Sequence, residues 1–162
     1  MKTKVAYFGL FTALALIFSY VETLIPIQIG IPGVKLGLAN LVTVLALYKM
    51  GTKDAFLLAV VRVLVSGFMF GSMFSILYSL AGGMLSLVVM SALKRIGGFS
   101  VTGVSIAGGV FHNIGQLLVA LFAVQTVRVV YYTPVLMIAG VVTGFLIGII
   151  SNEVLKRLKL VF

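Results

Sequence analysis

Cysteine is absent from the 162 residues, histidine occurs once and acidic residues three times. The first absence excludes disulfides, thiolate nucleophiles, iron–sulfur clusters and cysteine-based zinc sites. The single His112 excludes a multi-histidine metal centre. Three acids, Glu22, Asp54 and Glu153, cannot supply the clustered carboxylates that hold magnesium against a diphosphate. No GxSxG or P-loop occurs. No catalytic residue, metal or cofactor is therefore expected. Charge is scarce altogether, at 9% of residues against 62% hydrophobic, with a mean hydropathy of +1.28. A soluble domain carries about one-quarter charged residues, so this composition is that of an integral membrane protein. The net charge of +9 sits in short clusters between apolar runs. That is a topology signal rather than a nucleic-acid surface.

The apolar runs predict one transmembrane domain over 1–162, an all-α bundle of six helices at about 4–21, 36–48, 54–69, 72–93, 101–125 and 132–152. The first run continues to Val21 without a clear cleavage site, so it is read as a retained span. The second is short, at roughly 20 Å against roughly 30 Å of hydrocarbon. Long runs without alternation exclude a β-barrel. No internal repeat is convincing. With the N-terminus inside, one face collects Lys2, Lys4, Lys49, Lys53, Lys94, Arg95, Lys156, Arg157 and Lys159, and the other only Lys35 and Arg128. The positive-inside rule then predicts a multi-pass protein of the cell membrane with both termini cytoplasmic.

Polar residues inside these runs are the functional candidates. Arg62 lies within the third run, where a charge in lipid is costly unless it faces a cavity or a partner. Pairing to carbonyls or snorkelling is the plainer reading. His112 and Gln116 fall one helical turn apart, with Asn113 adjacent, and Ser105 and Gly108 extend that face. They read either as a ligand-binding face or as interhelical hydrogen-bonding glue. Asn40 and Ser66 point to the same cavity, and Tyr78 joins them unless it is simply packed. Glu22, Lys35 and Arg128 lie near the outer helix ends. With Arg62 they favour a ligand bearing a carboxylate or phosphate over an amine, unless Lys35 and Arg128 simply face lipid headgroups. The Pro- and Gly-bearing segment 22–35 is a candidate lid. Asp54 reads as a helix-start charge and Glu153 as an interfacial ion pair. On the first helix, Ala6, Gly9 and Ala13 form one small-residue stripe, and Thr12, Ala15 and Ser19 a second. Such stripes admit another helix closely, from this chain or from a partner.

Three segments carry a resemblance: PGVKLGLANLVTVLALY (Pro32–Tyr48), RVLVSGFMFGSMFSILYSLAGGMLS (Arg62–Ser86) and FHNIGQL (Phe111–Leu117). They resemble the Gx transporter family of small bacterial membrane proteins, also labelled heptaprenyl diphosphate synthase component I. The general layout is similar to the substrate-binding S-components of energy-coupling factor transporters. That likeness implies a six-helix fold with both termini inside. It also implies that the stripe Ala6, Gly9 and Ala13 docks on a transmembrane T-component driven by two ATPases. The synthase label implies an accessory membrane subunit beside a soluble synthase, because one aspartate cannot form that enzyme's diphosphate site.

Two functions follow as expectations. The first is a substrate-binding subunit for uptake of a small metabolite, anionic or partly aromatic, held by Arg62, His112, Asn113, Gln116, Asn40 and Ser66, with Glu22, Lys35 and Tyr78 at the margin. The second is a non-catalytic accessory subunit of a heptaprenyl or polyprenyl diphosphate synthase in isoprenoid-quinone biosynthesis. A third, weaker reading is a packing scaffold in which the polar residues are only glue. The lipid bilayer is a partner in each, and nucleic acid in none.

Overall fold

The computed structural model describes residues 2–24, 37–124 and 127–161. Among these residues, six α-helices follow in order: α1 (Lys2–Leu24), α2 (Leu38–Lys49), α3 (Thr52–Phe70), α4 (Met73–Ile96), α5 (Val101–Val124) and α6 (Thr133–Val161). A short 3-10 helix, Val127–Tyr132, precedes α6. There is no strand among the described residues. The all-helical expectation and its six elements are met. The last helix runs past the predicted end at 152, to Val161. The apolar run stops there but the helical signals do not. Nothing after Gly148 breaks the helix, and Glu153 pairs with Arg157 one turn on at 3.1 Å.

Among the described residues, four helices are long and apolar enough to cross a membrane: Lys4–Leu24, Met73–Ile96, Val101–Ala123 and Val130–Leu158. At 12 residues α2 covers only about 18 Å. Helix α3 has 19 residues but carries Lys53, Asp54 and Arg62. The bundle's outer faces are apolar. Val5, Phe68, Phe122 and Ile138 are each at least 65% exposed, which a water-facing surface avoids at this density.

Local signals explain the boundaries. Gly71 ends α3, and Ser72 opens α4 with a reciprocal capping box to Ser75. Gly37 caps α2 at a φ of 74°, which glycine reaches without strain. Pro134 sits in the first turn of α6, where its missing N–H costs nothing.

Successive helices run antiparallel. Lys4 Nζ meets Asp54 Oδ2 at 2.8 Å, placing the starts of α1 and α3 at one end. Lys94 Nζ donates to the Leu47 carbonyl at 2.6 Å, placing the ends of α2 and α4 there too. In α6, Gly144 lies against Ser105 and Ile106, and Gly148 against Thr102, so α6 ends where α5 begins. This end carries Lys4, Lys49, Lys53, Lys94, Arg95 and Arg157, and is called the basic end below. Asp54 lies in the first turn of α3, as its sequence position suggests.

Two groups of three helices make up the bundle. Helices α1, α2 and α3 pack on one another, and α5 packs along both α4 and α6. The groups meet through α3 on α4 and α2 on α6. Towards the basic end the space between them is filled by a core including Phe11, Ala15, Leu47, Ala55, Leu58, Leu87 and Val104. Away from it the core gives way to a cavity.

Candidate functional site

All six helices line a cavity of about 360 Å³. That size is usual for a small-molecule site. The first group contributes Ser19 and Glu22 from α1, Asn40 from α2, and Arg62 and Ser66 from α3. The second contributes Ser79 and Ser86 from α4, Ser105, His112, Asn113 and Gln116 from α5, and Thr143 from α6.

Glycines let these side chains reach one another. A Cβ on Gly82 would lie 2.8 Å from both the His112 carbonyl and Gln116 Cγ. Only a glycine there lets α5 approach α4 closely enough to present His112 and Gln116 to the cavity. On the other flank, Gly109 of α5 faces Gly140 of α6, backbone to backbone. That approach lets Asn113 Nδ2 reach the Leu136 carbonyl at 2.6 Å. Gln116 is 3% exposed and Ser105 also 3%, so these polar groups are held away from the surface.

The charged wall is built differently. Arg62 is 8% exposed. Its Nη2 donates to Asn40 Oδ1 across a long 3.5 Å, and its Nε meets no hydrogen-bond partner among the described residues. Glu22 Oε1 accepts from the Leu38 N–H at 2.8 Å. The carboxylate thus sits on the first turn of α2, where the helix dipole favours a negative charge. It ties the end of α1 to the start of α2. Glu22 and Arg62 are not joined by an ion pair among the described residues.

The structure therefore brings together Glu22, Asn40, Arg62, Ser66, His112, Asn113 and Gln116, which the sequence scatters over nearly a hundred positions. Tyr78 departs from expectation. It does not line the cavity but stacks on Phe74, with ring centroids 5.8 Å apart. Its position in α4 turns it towards the helix's own preceding turn. Lys35 and all but Glu22, Thr23 and Leu24 of the candidate lid lie outside the described residues, as does the Arg128 side chain.

Two features escape sequence reasoning. Seven serines line the cavity, and the sequence singles out only Ser19, Ser66 and Ser105. The recurrence of serine along α4 and its cap (Ser72, Ser75, Ser79, Ser86) is the available signal. The Gly140, Gly144 and Gly148 repeat on α6 is the second, a small-xxx-small pattern. It packs against α5 throughout.

The stripes on α1 now separate. Ala15 and Ser19 turn inward, at 0% and 9% exposure. Ala6, Gly9 and Ala13 are exposed, and a Cβ on Gly9 would meet nothing within 4 Å. Among the described residues, no helix of this chain uses that face.

Among the described residues no group of three or more His, Asp or Glu side chains is placed to hold a metal ion. No curated protein and no solved structure matches the chain. A family model described as heptaprenyl diphosphate synthase component I does, over residues 11–154, which include every residue lining the cavity. The chain belongs to the heptaprenyl diphosphate synthase component I family.

Proposed function

We propose that this protein is a non-catalytic membrane subunit that holds a small polar molecule in its cavity and acts with a partner protein. The observation that carries this is Arg62: a buried guanidinium on a cavity wall with its Nε unpartnered among the described residues. Leaving such a group without a counter-charge is expensive, and a ligand relieves that cost. The six helices are read as six passes, with the basic end cytoplasmic by the positive-inside rule.

The family match favours a soluble prenyl diphosphate synthase as the partner. In this reading the chain is the membrane-side accessory subunit. Catalysis lies in the other subunit, because the chain has one aspartate and three acids in all. Affinity purification of the chain from its host membranes is expected to bring down a prenyl synthase subunit, and removing the chain to change that enzyme's rate or product length. An unaltered rate and product length in reconstituted membranes overturns this reading.

The cavity itself favours a second partner. Its wall of serines, amides and arginine suits a small polar solute. An isoprenoid tail would strip those groups of hydrogen bonds without replacing them. The outward stripe Ala6, Gly9 and Ala13 is open to a helix from another chain. Both features support a capture subunit for uptake, docked on a T-component with its two ATPases. Co-expression with such subunits tests it. Failure to associate, together with no transport of the retained molecule, removes it.

A further inference from the structure

We infer that the cavity takes a zwitterion: a small molecule whose acidic group meets Arg62 and whose cationic nitrogen meets Glu22. This rests on the reading of the cavity as a ligand site and narrows the class of ligand.

Glu22 and Arg62 are the only Asp, Glu, Lys or Arg side chains on the cavity wall among the described residues. They carry opposite charges and line the same cavity. Yet they form no ion pair. Each is instead fixed by a neutral group. Glu22 is held by the Leu38 N–H, and Arg62 leans on Asn40 at 3.5 Å. The Leu38 bond engages one carboxylate oxygen, and that carboxylate makes no other hydrogen bond or ion pair among the described residues. Arg62 Nε is unpartnered there, and so is the hydroxyl of Ser19, 9% exposed on the same wall.

Charge chemistry then selects the ligand. A simple anion placed on Arg62 also faces Glu22 and is repelled by it. A simple cation on Glu22 meets the reverse problem. A neutral molecule offers neither charge a counter-ion. A molecule carrying both charges satisfies both, with Ser19, Asn40 and Ser66 left to hydrogen-bond the acid or the backbone of the ligand. The rest of the wall, from α4 to α6, is uncharged apart from whatever His112 carries. It therefore discriminates by shape and hydrogen bonding, not by net charge. The chemistry fits amino acids, their derivatives and betaine-like molecules with an N–H or quaternary nitrogen.

Molecules retained by the protein, purified gently from its host membranes, are to be released and identified by accurate mass. A pool of the standard amino acids, set against a pool of their decarboxylated amines and a pool of short carboxylic acids, is to be added in a thermal-unfolding assay. The expected result is a retained molecule bearing both an acid and a cationic nitrogen, or a raised unfolding midpoint with the amino-acid pool alone. Arg62→Gln and Glu22→Gln are each expected to weaken that binding at least about tenfold, the loss typical of removing a charge-assisted hydrogen bond. Glu22→Gln need not unfold the chain, since an amide oxygen can still accept from Leu38. The unliganded midpoints of both variants check this. A retained acid without nitrogen, lost in Arg62→Gln but not in Glu22→Gln, overturns the zwitterion and leaves the cavity reading standing. No retained molecule and no shift with any pool overturns both.

Discussion

Helices α1–α3 and α4–α6 form two halves of one bundle, and they are built by different means. The first half packs branched and aromatic side chains, among them Phe11, Val42, Leu47 and Leu58, and carries both cavity charges. The second half is held by glycine. Gly82, Gly115, Gly109, Gly140, Gly144 and Gly148 bring backbones into contact across two seams, and its cavity face holds no Asp, Glu, Lys or Arg among the described residues. Side-chain packing tolerates a long guanidinium because the aliphatic stem of arginine is itself packing material. Backbone seams leave no room for one. They do bring carbonyls within reach of short amides, as Asn113 shows. Charge recognition therefore falls to one half and hydrogen-bond recognition to the other.

The most damaging test of that contrast is Gly144→Val. A Cβ there would lie 2.7 Å from both Ile106 Cα and the Ser105 carbonyl, which are backbone and cannot turn aside. Forcing α5 and α6 apart is expected to cost about 3 kcal/mol or more, read as a lowered unfolding midpoint in detergent. An unchanged midpoint would mean that the seam is not what holds the second half together. Asn113→Leu comes next. It removes the 2.6 Å bond to the Leu136 carbonyl and is expected to cost about 1–2 kcal/mol. A loss well below that would place Asn113 with the ligand rather than with α6.

The first half predicts the opposite sign. Arg62 is buried, bonded only at long range to Asn40 and lacking a partner at Nε among the described residues. Replacing such a group by an apolar one of similar length is often neutral or stabilising by about 1 kcal/mol or more. Arg62→Met is therefore expected to hold or raise the unfolding midpoint while abolishing ligand retention. A marked loss of stability would make Arg62 a structural residue, and the packing-scaffold reading would gain.

How much of this is readable in the sequence follows the same division. The six helices are, because hydropathy reports burial in lipid or core directly, and Pro, Gly and Lys mark their ends. Arg62 is, because a charge in an apolar run has few places to go. His112, Asn113 and Gln116 are, because helical spacing puts them close together on α5. What the sequence does not show is depth and facing. Tyr78 and Ser79 are neighbours, yet only Ser79 lines the cavity. The register of α4 against α5, set by Gly82 and Gly115, decides that. Nor does it separate Glu22 as a ligand contact from Glu22 as the cap of α2, since the bond to Leu38 spans 16 residues.

The smallest effect on the isolated chain is expected outside both halves, at Gly9. Nothing lies within 4 Å of a Cβ placed there, whereas the glycines of the second half are crowded by backbone. Gly9→Leu is expected to leave the unfolding midpoint within about 0.5 kcal/mol of the parent protein. It would nevertheless cover the flat strip formed with Ala6 and Ala13 by a side chain as long as a helix–helix gap. If another protein's helix lies against that strip, association is lost while ligand retention is kept. If the partner is a soluble synthase that touches only the basic end, association survives. A stability loss of several kcal/mol would instead mean that α1 packs on its own bundle by that face, contrary to the exposure of Ala6 and Ala13. One substitution that does almost nothing to the fold thus separates the two partners that the cavity and the family match favour.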